Sequence, residues 1–304
     1  MQETHFVEVK IPKKSPRKAS RAVVKTEASQ NGQRSLALDA KLFFQTQDGQ
    51  VKIYQNDAIS FLKSLPDDSI DLITTDPAYS GMNQMLKLGK GKIVGTYKEK
   101  ADDEGKWFDE FHDTEENYAE FLKECRRVLK KDRHIYIMFD SYSLLSLAPT
   151  VRKVFDVKNI LCWDKAHIGL GHYFRRRHEF ILFASKGKRR LQSKSIPDVW
   201  KVKRVTRLKY PTQKPTEVFE LMVKGSTEKG FVVCDPFLGS GSAMIASIKN
   251  GCSFIGCDIA DKSVKMAQER AEAFLATGKD IMQPNSLLSD DIHTNKILLN
   301  GSSR

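Results

Sequence analysis

The sequence predicts an α/β protein with a mostly parallel sheet, and three observations carry that expectation. Short apolar runs rich in Ile, Val and Phe alternate with stretches of helical period between residues 51 and 276. Two of the runs stop at an Asp-Pro pair, in "TTDPAY" and in "CDPFLGSGSA". The second passes through two closely spaced glycines into another helical stretch, and the strand after it closes on a further acid, Asp258. A glycine turn between a strand and a helix is how such sheets approach a ligand at their carboxyl edge.

Each element follows from local pattern. Val51 to Tyr54 reads as a short strand, and Asp57 to Leu65 as a brief helix stopped by Pro66. Asp71 to Thr75 reads as a buried strand that ends on the first Asp-Pro. Residues 80–113 form a long loop rich in Gly and Lys, of a length that is usually functional or disordered. Thr114 to Lys130 is an amphipathic helix with Thr114 and Asn117 as candidate caps. His134 to Phe139 is a strand, and Tyr142 to Val154 a helix interrupted or bent at Pro149. Asn159 to Trp163 and Glu179 to Ala184 are strands joined by a Gly- and Arg-rich loop. Thr216 to Val223 starts a helix behind Pro215, and Phe231 to Cys234 is a strand. Ala243 to Asn250 is a helix stopped at Gly251, Ser253 to Cys257 a strand, and Asp261 to Ala276 a long helix.

Composition narrows the classes. Among 304 residues, 40% apolar, no run approaches the ~18 needed for a membrane span, and the N-terminus lacks the apolar segment of a secretory signal. Five cysteines without a C-x-x-C pair fit reduced thiols in a cytoplasmic protein, and His167, His172 and His178 lack metal-ligand spacing, so no metal is expected. The net charge of +12 is focused: residues 1–34 carry +5 and residues 186–209 carry +9, so the remainder is slightly acidic. Charge concentrated in this way suits a polyanion, most simply nucleic acid. The first segment has no apolar period and also reads as a solvated, disordered tail. The second interleaves Val199, Trp200, Val202, Val205 and Leu208 with its charges, as a folded basic face would.

The strand, "DPFLGSGSAM", helix, strand, Asp258 succession is a nucleoside-binding arrangement. Gly239 and Gly241 let the backbone pass close to a ligand, and Asp258 can accept from ribose hydroxyls. Met244 stands where a dinucleotide fingerprint needs its third glycine, and no Gly-Lys-Ser/Thr follows.

With those residues in place, the chain resembles the DNA amino-methyltransferases that use S-adenosylmethionine. "DPFLGSGSA" resembles their cofactor loop, "TDPAY" their catalytic D-P-P-Y, and "YPTQKP" their H-P-T-Q-K-P. "NDAISFLKSLPDDSIDLITTDPAY" and "ILCWDKAHIGLGHYFRRRHEFILFASKG" are similar to the runs into the catalytic motif and through a later W-x-K and R-x-x-H-E segment. The catalytic motif precedes the cofactor loop, as in the β group. The sequence departs at Ala78 for the second Pro, at Tyr210 for His, and at Ser242-Ala243 for Thr-Thr.

The resemblance implies a Rossmann-like methyltransferase fold with a circularly permuted, mostly parallel seven-stranded sheet. It implies a basic N-terminal arm (1–35), a methyltransferase domain (36–277) and an irregular tail (278–304). Within the domain it implies a catalytic half (51–185), a short target-recognition segment (186–209) and a cofactor half (210–277). It implies transfer of a methyl group to the N6 amine of a flipped adenine in double-stranded DNA. Cytosine N4, an RNA amine and a non-catalytic DNA-binding subunit remain open beside that reading. Asp76, the Pro77 carbonyl and Tyr79 would do the chemistry, and Tyr173 or Phe174 would wall the base. Asp57, Ala58, Thr212, Lys214, Asp235, Phe237, Gly239, Ser240, Gly241 and Asp258 would hold the cofactor. Arg189, Arg190, Lys201, Lys203 and Arg204 would hold DNA. A homodimer, a cognate restriction endonuclease and a nucleoid-associated cytoplasmic location are further implications.

Overall fold

The computed structural model describes residues 40–77, 114–169, 174–206, 210 and 212–283. The basic arm, the 80–113 loop, Tyr79, Tyr173 and the tail beyond 283 lie outside the described residues. The strands are β1 (Lys41–Gln45), β2 (Val51–Gln55), β3 (Ile70–Thr75), β4 (Leu129–Phe139), β5 (Asp156–Asp164), β6 (His178–Lys186), β7 (Val199–Lys201), β8 (Val232–Asp235) and β9 (Ser253–Asp258). The helices are α1 (Ala58–Ser64), α2 (Glu115–Val128), α3 (Ser141–Val154), α4 (Thr216–Ser226), α5 (Ser242–Lys249) and α6 (Asp261–Thr277).

The nine strands form one sheet in the order β1-β2-β9-β8-β3-β4-β6-β5-β7. The expected seven are present from β2 to β5, and two edge strands are added. β1 pairs antiparallel with β2, and β7 pairs parallel with β5. The sheet is otherwise parallel from β2 to β4, and β6 runs against both β4 and β5.

Alternation along the central strands splits the core into two layers. Leu72, Tyr136, Met138, Val233 and Phe254 face α4, α5 and α6. Ile73, Ile135, Ile137, Cys234 and Cys257 face α1, α2 and α3. Both faces of β3 are buried, so its apolar residues Ile70, Leu72 and Ile73 do not alternate with exposed polar ones. Caps behave as the sequence indicates: Thr114 Oγ1 accepts from Asn117 N at 3.3 Å. Pro149 does not interrupt α3, which is a single helix over Ser141–Val154. Pro149 is exposed, so the carbonyl deprived of a donor can turn to water.

One buried acid ties the amino edge of the sheet together. Asp71 accepts from Lys130 Nζ at 2.8 Å, Arg133 Nε at 3.0 Å and Val232 N at 3.1 Å, linking β3 to β4 and β8. Burial alone would raise its carboxyl, and these donors together hold it below the usual range. At the other end, the β3 and β8 carboxyl termini lie side by side, where the chain turns outward in opposite directions. Such a switch point opens a crevice beyond the strand ends.

His134, on β4, is buried. Its Nε2 donates to the Arg189 carbonyl at 3.1 Å, which leaves Nδ1 to accept from Ser226 Oγ at 2.8 Å. The Tyr136 hydroxyl, 2.8 Å from Ser226 Oγ, extends the chain. Burial pushes the imidazole down to about 4. The unfolded chain therefore binds a proton here that the folded chain rejects, and stability falls as pH drops from about 6.5 toward 4. The loss amounts to roughly 3 kcal/mol at its fullest. Urea unfolding across that window should show this slope in the parent and lose it in His134→Gln; an equal slope in both would remove His134 as its source.

Candidate active site

The carboxyl ends of β3, β4, β8 and β9 line one cleft of about 660 Å³, within the range of small-molecule sites. Asp76 and Pro77 follow β3 directly, so the turn that stops the strand delivers both to the cleft. Asp140 enters from the end of β4. One of its oxygens caps α3 through Tyr142 N (2.7 Å) and Ser143 N (2.9 Å), and the other, Oδ2, is buried without a hydrogen-bond partner.

The glycine loop follows β8. Asp235 is buried at the strand end and accepts from Phe237 N at 3.0 Å. Burial pushes its carboxyl up to about 8, with the nearby charges of Asp76 and Asp258 adding to the shift and the Phe237 N–H opposing it. Gly239 and Gly241 both take positive φ, +49° and +78°, which favours glycine. A Cβ on Gly241 would lie 2.9 Å from the Met244 methyl. Gly241 starts α5 and does not line the cleft, so its part is to bend the loop, whereas Gly239 and Ser240 line the cleft directly.

Asp258 closes β9 in the cleft. Its Oδ2 accepts from Gly239 N at 2.9 Å and its Oδ1 from Ala260 N at 3.0 Å. Burial raises this carboxyl, and the two N–H groups oppose the rise. Asp258 thus latches the loop it faces, and it does not cap α6, whose N-cap is Ala260. Asp57 does act as a cap: it accepts from Ser60 N at 2.9 Å at the start of α1, and with Ala58 it lines the same cleft.

The turn before α4 completes the wall. Thr212 sits in the left-handed region at φ +59° and lines the cleft, and the buried Gln213 presents an Oε1 without a hydrogen-bond partner. The buried Tyr210 ring lies beside Gly239, with its hydroxyl 3.3 Å from Ser263 Oγ. Lys214, expected to hold the cofactor, lines the cleft but turns its ammonium to Asp76 and Glu179. Its Nζ donates to Asp76 Oδ2 at 2.5 Å and lies 3.5 Å from Glu179 Oε2, and Lys165 reaches Glu179 at 3.2 Å. The sequence pattern does not single out Glu179, Lys165 or Asp140. The W-x-K and H-E stretches hold Lys165 and Glu179, but nothing local indicates which way they face.

Behind the loop, Arg270 of α6 is fully buried and spends its donors on the Ser240 carbonyl (2.7 Å), Ser242 Oγ, Thr216 Oγ1 and Asp280. Gln283 accepts from Thr216 N at 2.7 Å, and Gln213 donates to the Met282 carbonyl. The first residues of the expected tail are therefore packed against the start of α4 and the Arg270 that braces the glycine loop.

The basic segment divides. Arg189 leaves β6 at the amino edge of the sheet, pairs with Glu228 at 2.9 Å and lies over the Phe231 ring. Arg190 is exposed beside it, away from the cleft. β7 then carries the chain back to the carboxyl edge, where Lys201, Lys203 and Arg204 are exposed and Arg204 lines the cleft. Phe174 is fully exposed on the loop between β5 and β6. That loop is closed at its base by the two-pronged pair of Arg177 with Asp164 at 2.7 and 2.8 Å. Among the described residues no cluster of acids, His and Cys could hold a metal, and no helix is long and apolar enough to cross a membrane.

Comparison with known proteins agrees with this geometry. The type II methyltransferase M2.DpnII of Streptococcus pneumoniae is 27% identical over 245 residues, spanning 73% of this chain and 89% of that protein. The DNA adenine methyltransferase YhdJ of Escherichia coli (strain K12) is 27% identical over 260 residues, spanning 72% and 82%. The crystal structure of the M1.HpyAVI-SAM complex superposes with a TM-score of 0.52 at 20% identity, covering 72% of this chain and 99% of that one. The family profile described as DNA methylase matches residues 70–269, most of the chain, so this protein belongs to the DNA amino-methyltransferases of the N6-adenine and N4-cytosine family.

Proposed function

We propose that the protein methylates the exocyclic N6 amine of an adenine rotated out of duplex DNA, with S-adenosylmethionine as methyl donor. The observation that carries this reading is that Asp76-Pro77 and the Asp235 to Ser240 loop, from opposite ends of the chain, face one cleft. The cleft fits the donor: it is large enough, it offers the buried Asp235 and the half-buried Asp258, and Gly239 and Ser240 line it. Phe237, Gly239, Ser240 and Asp258 would hold it, with Asp57 and Ala58 at the adenine side and Thr212 closing the wall. When bound, it supplies an electrophilic methyl on a sulfonium sulfur.

The rest falls to this chain's residues. An exocyclic amine is a weak nucleophile because its lone pair is delocalised into the ring. Asp76 and the Pro77 carbonyl would accept its two hydrogens, draw the nitrogen toward tetrahedral geometry and aim the lone pair. Positioning of this kind can contribute ~7–11 kcal/mol in favourable cases. The charge on Asp76 also stabilises the positive charge that grows on nitrogen. Tyr79 would stack on the extruded base, worth ~1–3 kcal/mol, with Tyr173 or Phe174 on its far side. The adenine assignment rests on the leading Asp and on the likeness to YhdJ, which is named for adenine.

Four measurements bear on this. Asp76→Ala should bind the donor with nearly parent affinity and transfer almost no tritiated methyl to duplex DNA, because it removes a transition-state interaction. Parent-rate transfer would reduce the motif to a turn, and N4-methylcytosine as product would move the target base while keeping the mechanism. Asp258→Ala should weaken donor binding, read by calorimetry, by roughly 1.5–3 kcal/mol as a charged acceptor and loop latch disappear. Neutralising Lys201, Lys203 and Arg204 together should flatten the salt dependence of DNA binding by about 0.9 for each phosphate no longer gripped. Arg189→Ala should lower Tm and leave that slope alone; the opposite pattern would place DNA on the amino edge.

A further inference from the structure

Four side chains of alternating charge run through the wall of the cleft. Asp76 Oδ2 is 2.5 Å from Lys214 Nζ, which is 3.5 Å from Glu179 Oε2, whose other oxygen is 3.2 Å from Lys165 Nζ. They come from four places in the fold: the end of β3, the turn before α4, β6, and the residue after β5. All four line the cleft. No pair among them is close in sequence, and each is only slightly exposed, from 11% for Lys214 to 22% for Glu179.

We propose that Glu179 and Lys165 are positioning residues for methyl transfer, setting through Lys214 how firmly the Asp76 carboxylate is held and how much of its charge is left for the target amine. This rests on the reading of Asp76 given above.

The physical argument is one of division. Lys214 has two carboxylates to satisfy and sits closer to Asp76 than to Glu179. Its grip fixes the Asp76 Oδ2 oxygen in the wall of the cleft. Glu179 draws part of the ammonium's charge away from Asp76, so Asp76 remains a strong acceptor. Lys165 in turn restrains Glu179 from taking Lys214 outright. Burial alone would raise the Glu179 carboxyl, but the charges of Lys214 and Lys165 outweigh it and hold it low, so Glu179 stays ionised near neutrality. The same two carboxylates hold the Lys214 ammonium protonated against its burial.

Other titratable groups face this chain. Asp235 on β8 and Asp258 on β9 add negative charge near Asp76, Asp140 enters from β4, Tyr210 lies before α4, and His178 lines the cleft from β6. They are common to every variant below, so they cannot make two variants shift in opposite senses.

The test measures single-turnover methyl transfer to duplex DNA at saturating donor, from pH 5 to 9, with donor affinity by calorimetry as the check of folding. Glu179→Gln removes the second carboxylate from Lys214 and leaves the ion pair with Asp76. The plateau rate should fall about tenfold and the acid limb should move to lower pH, with donor affinity within twofold of parent. Lys165→Met frees Glu179 to draw Lys214 off Asp76, and the acid limb should move to higher pH. Lys214→Met should move it further the same way. Glu179→Asp should recover part of the Glu179→Gln loss. Should Glu179→Gln fold poorly, the opposite-signed pair is replaced by the Lys165→Met and Lys214→Met order, which must still hold. Rates and limbs matching parent in Glu179→Gln and Lys165→Met, while Asp76→Ala is inactive, would overturn the proposal and leave the site assignment standing. Uniform rate losses with unmoved limbs would also overturn it, as a packing effect. An active Asp76→Ala would instead defeat the site assignment itself.

Discussion

The pairing of β3 with β8 is the constraint on which the site depends. The pairing is short, Leu72 against Val233 and Ile73 against Cys234, and it joins segments about 160 residues apart. It stops directly before Asp235 and three residues short of Asp76, so the register of two residue pairs sets how the two acids stand relative to one another. Asp71 holds the same strands from below by binding the Val232 N–H and the β4 cations. A slip of one residue in β8 would invert its faces and carry the glycine loop to the wrong side of the sheet.

That closeness sets an electrostatic problem that the fold answers unevenly. Asp76, Asp235 and Asp258 crowd the carboxyl edge, and the Lys214 ammonium lies directly on the first of them. The second lies deepest and is driven toward its protonated form, while backbone N–H groups steady the third. Three chemically identical side chains thus meet three different environments within one cleft. Asp76 has the cation and lines the cleft, as the proposed role of meeting a developing positive charge would require.

Much of this was legible in the sequence because it is local. β3, β8 and β9 announce themselves as apolar runs that stop at an acid, and Gly239 and Gly241 by the turn they permit. The two edge strands were less legible for a physical reason. β1 buries little of Lys41–Gln45, and β7 is three residues long, so neither needs a sustained pattern. Glu179 and Lys165 escaped notice for a shared cause: their meaning lies in a partner brought by non-local pairing. The motif around Lys214 marks it for the cleft but not for Asp76, since a motif fixes position along the chain and not the direction of a long side chain. Composition groups Arg189 with Lys201, yet β7 sends them to opposite edges of the sheet.

The strand order also has a consequence for how the protein is made. β2 ends at residue 55, but its parallel neighbour β9 ends at residue 258 and pairs Val51 with Phe254. At typical rates of synthesis the interval is on the order of 10–40 s. Throughout it Val51 and Ile53, fully buried in the finished sheet, can lean only on the β1 hairpin. The nascent chain therefore carries an unfinished half-sheet until almost the last described helix has emerged, and premature termination anywhere before β9 releases a polypeptide whose β2 strand has never met its parallel neighbour.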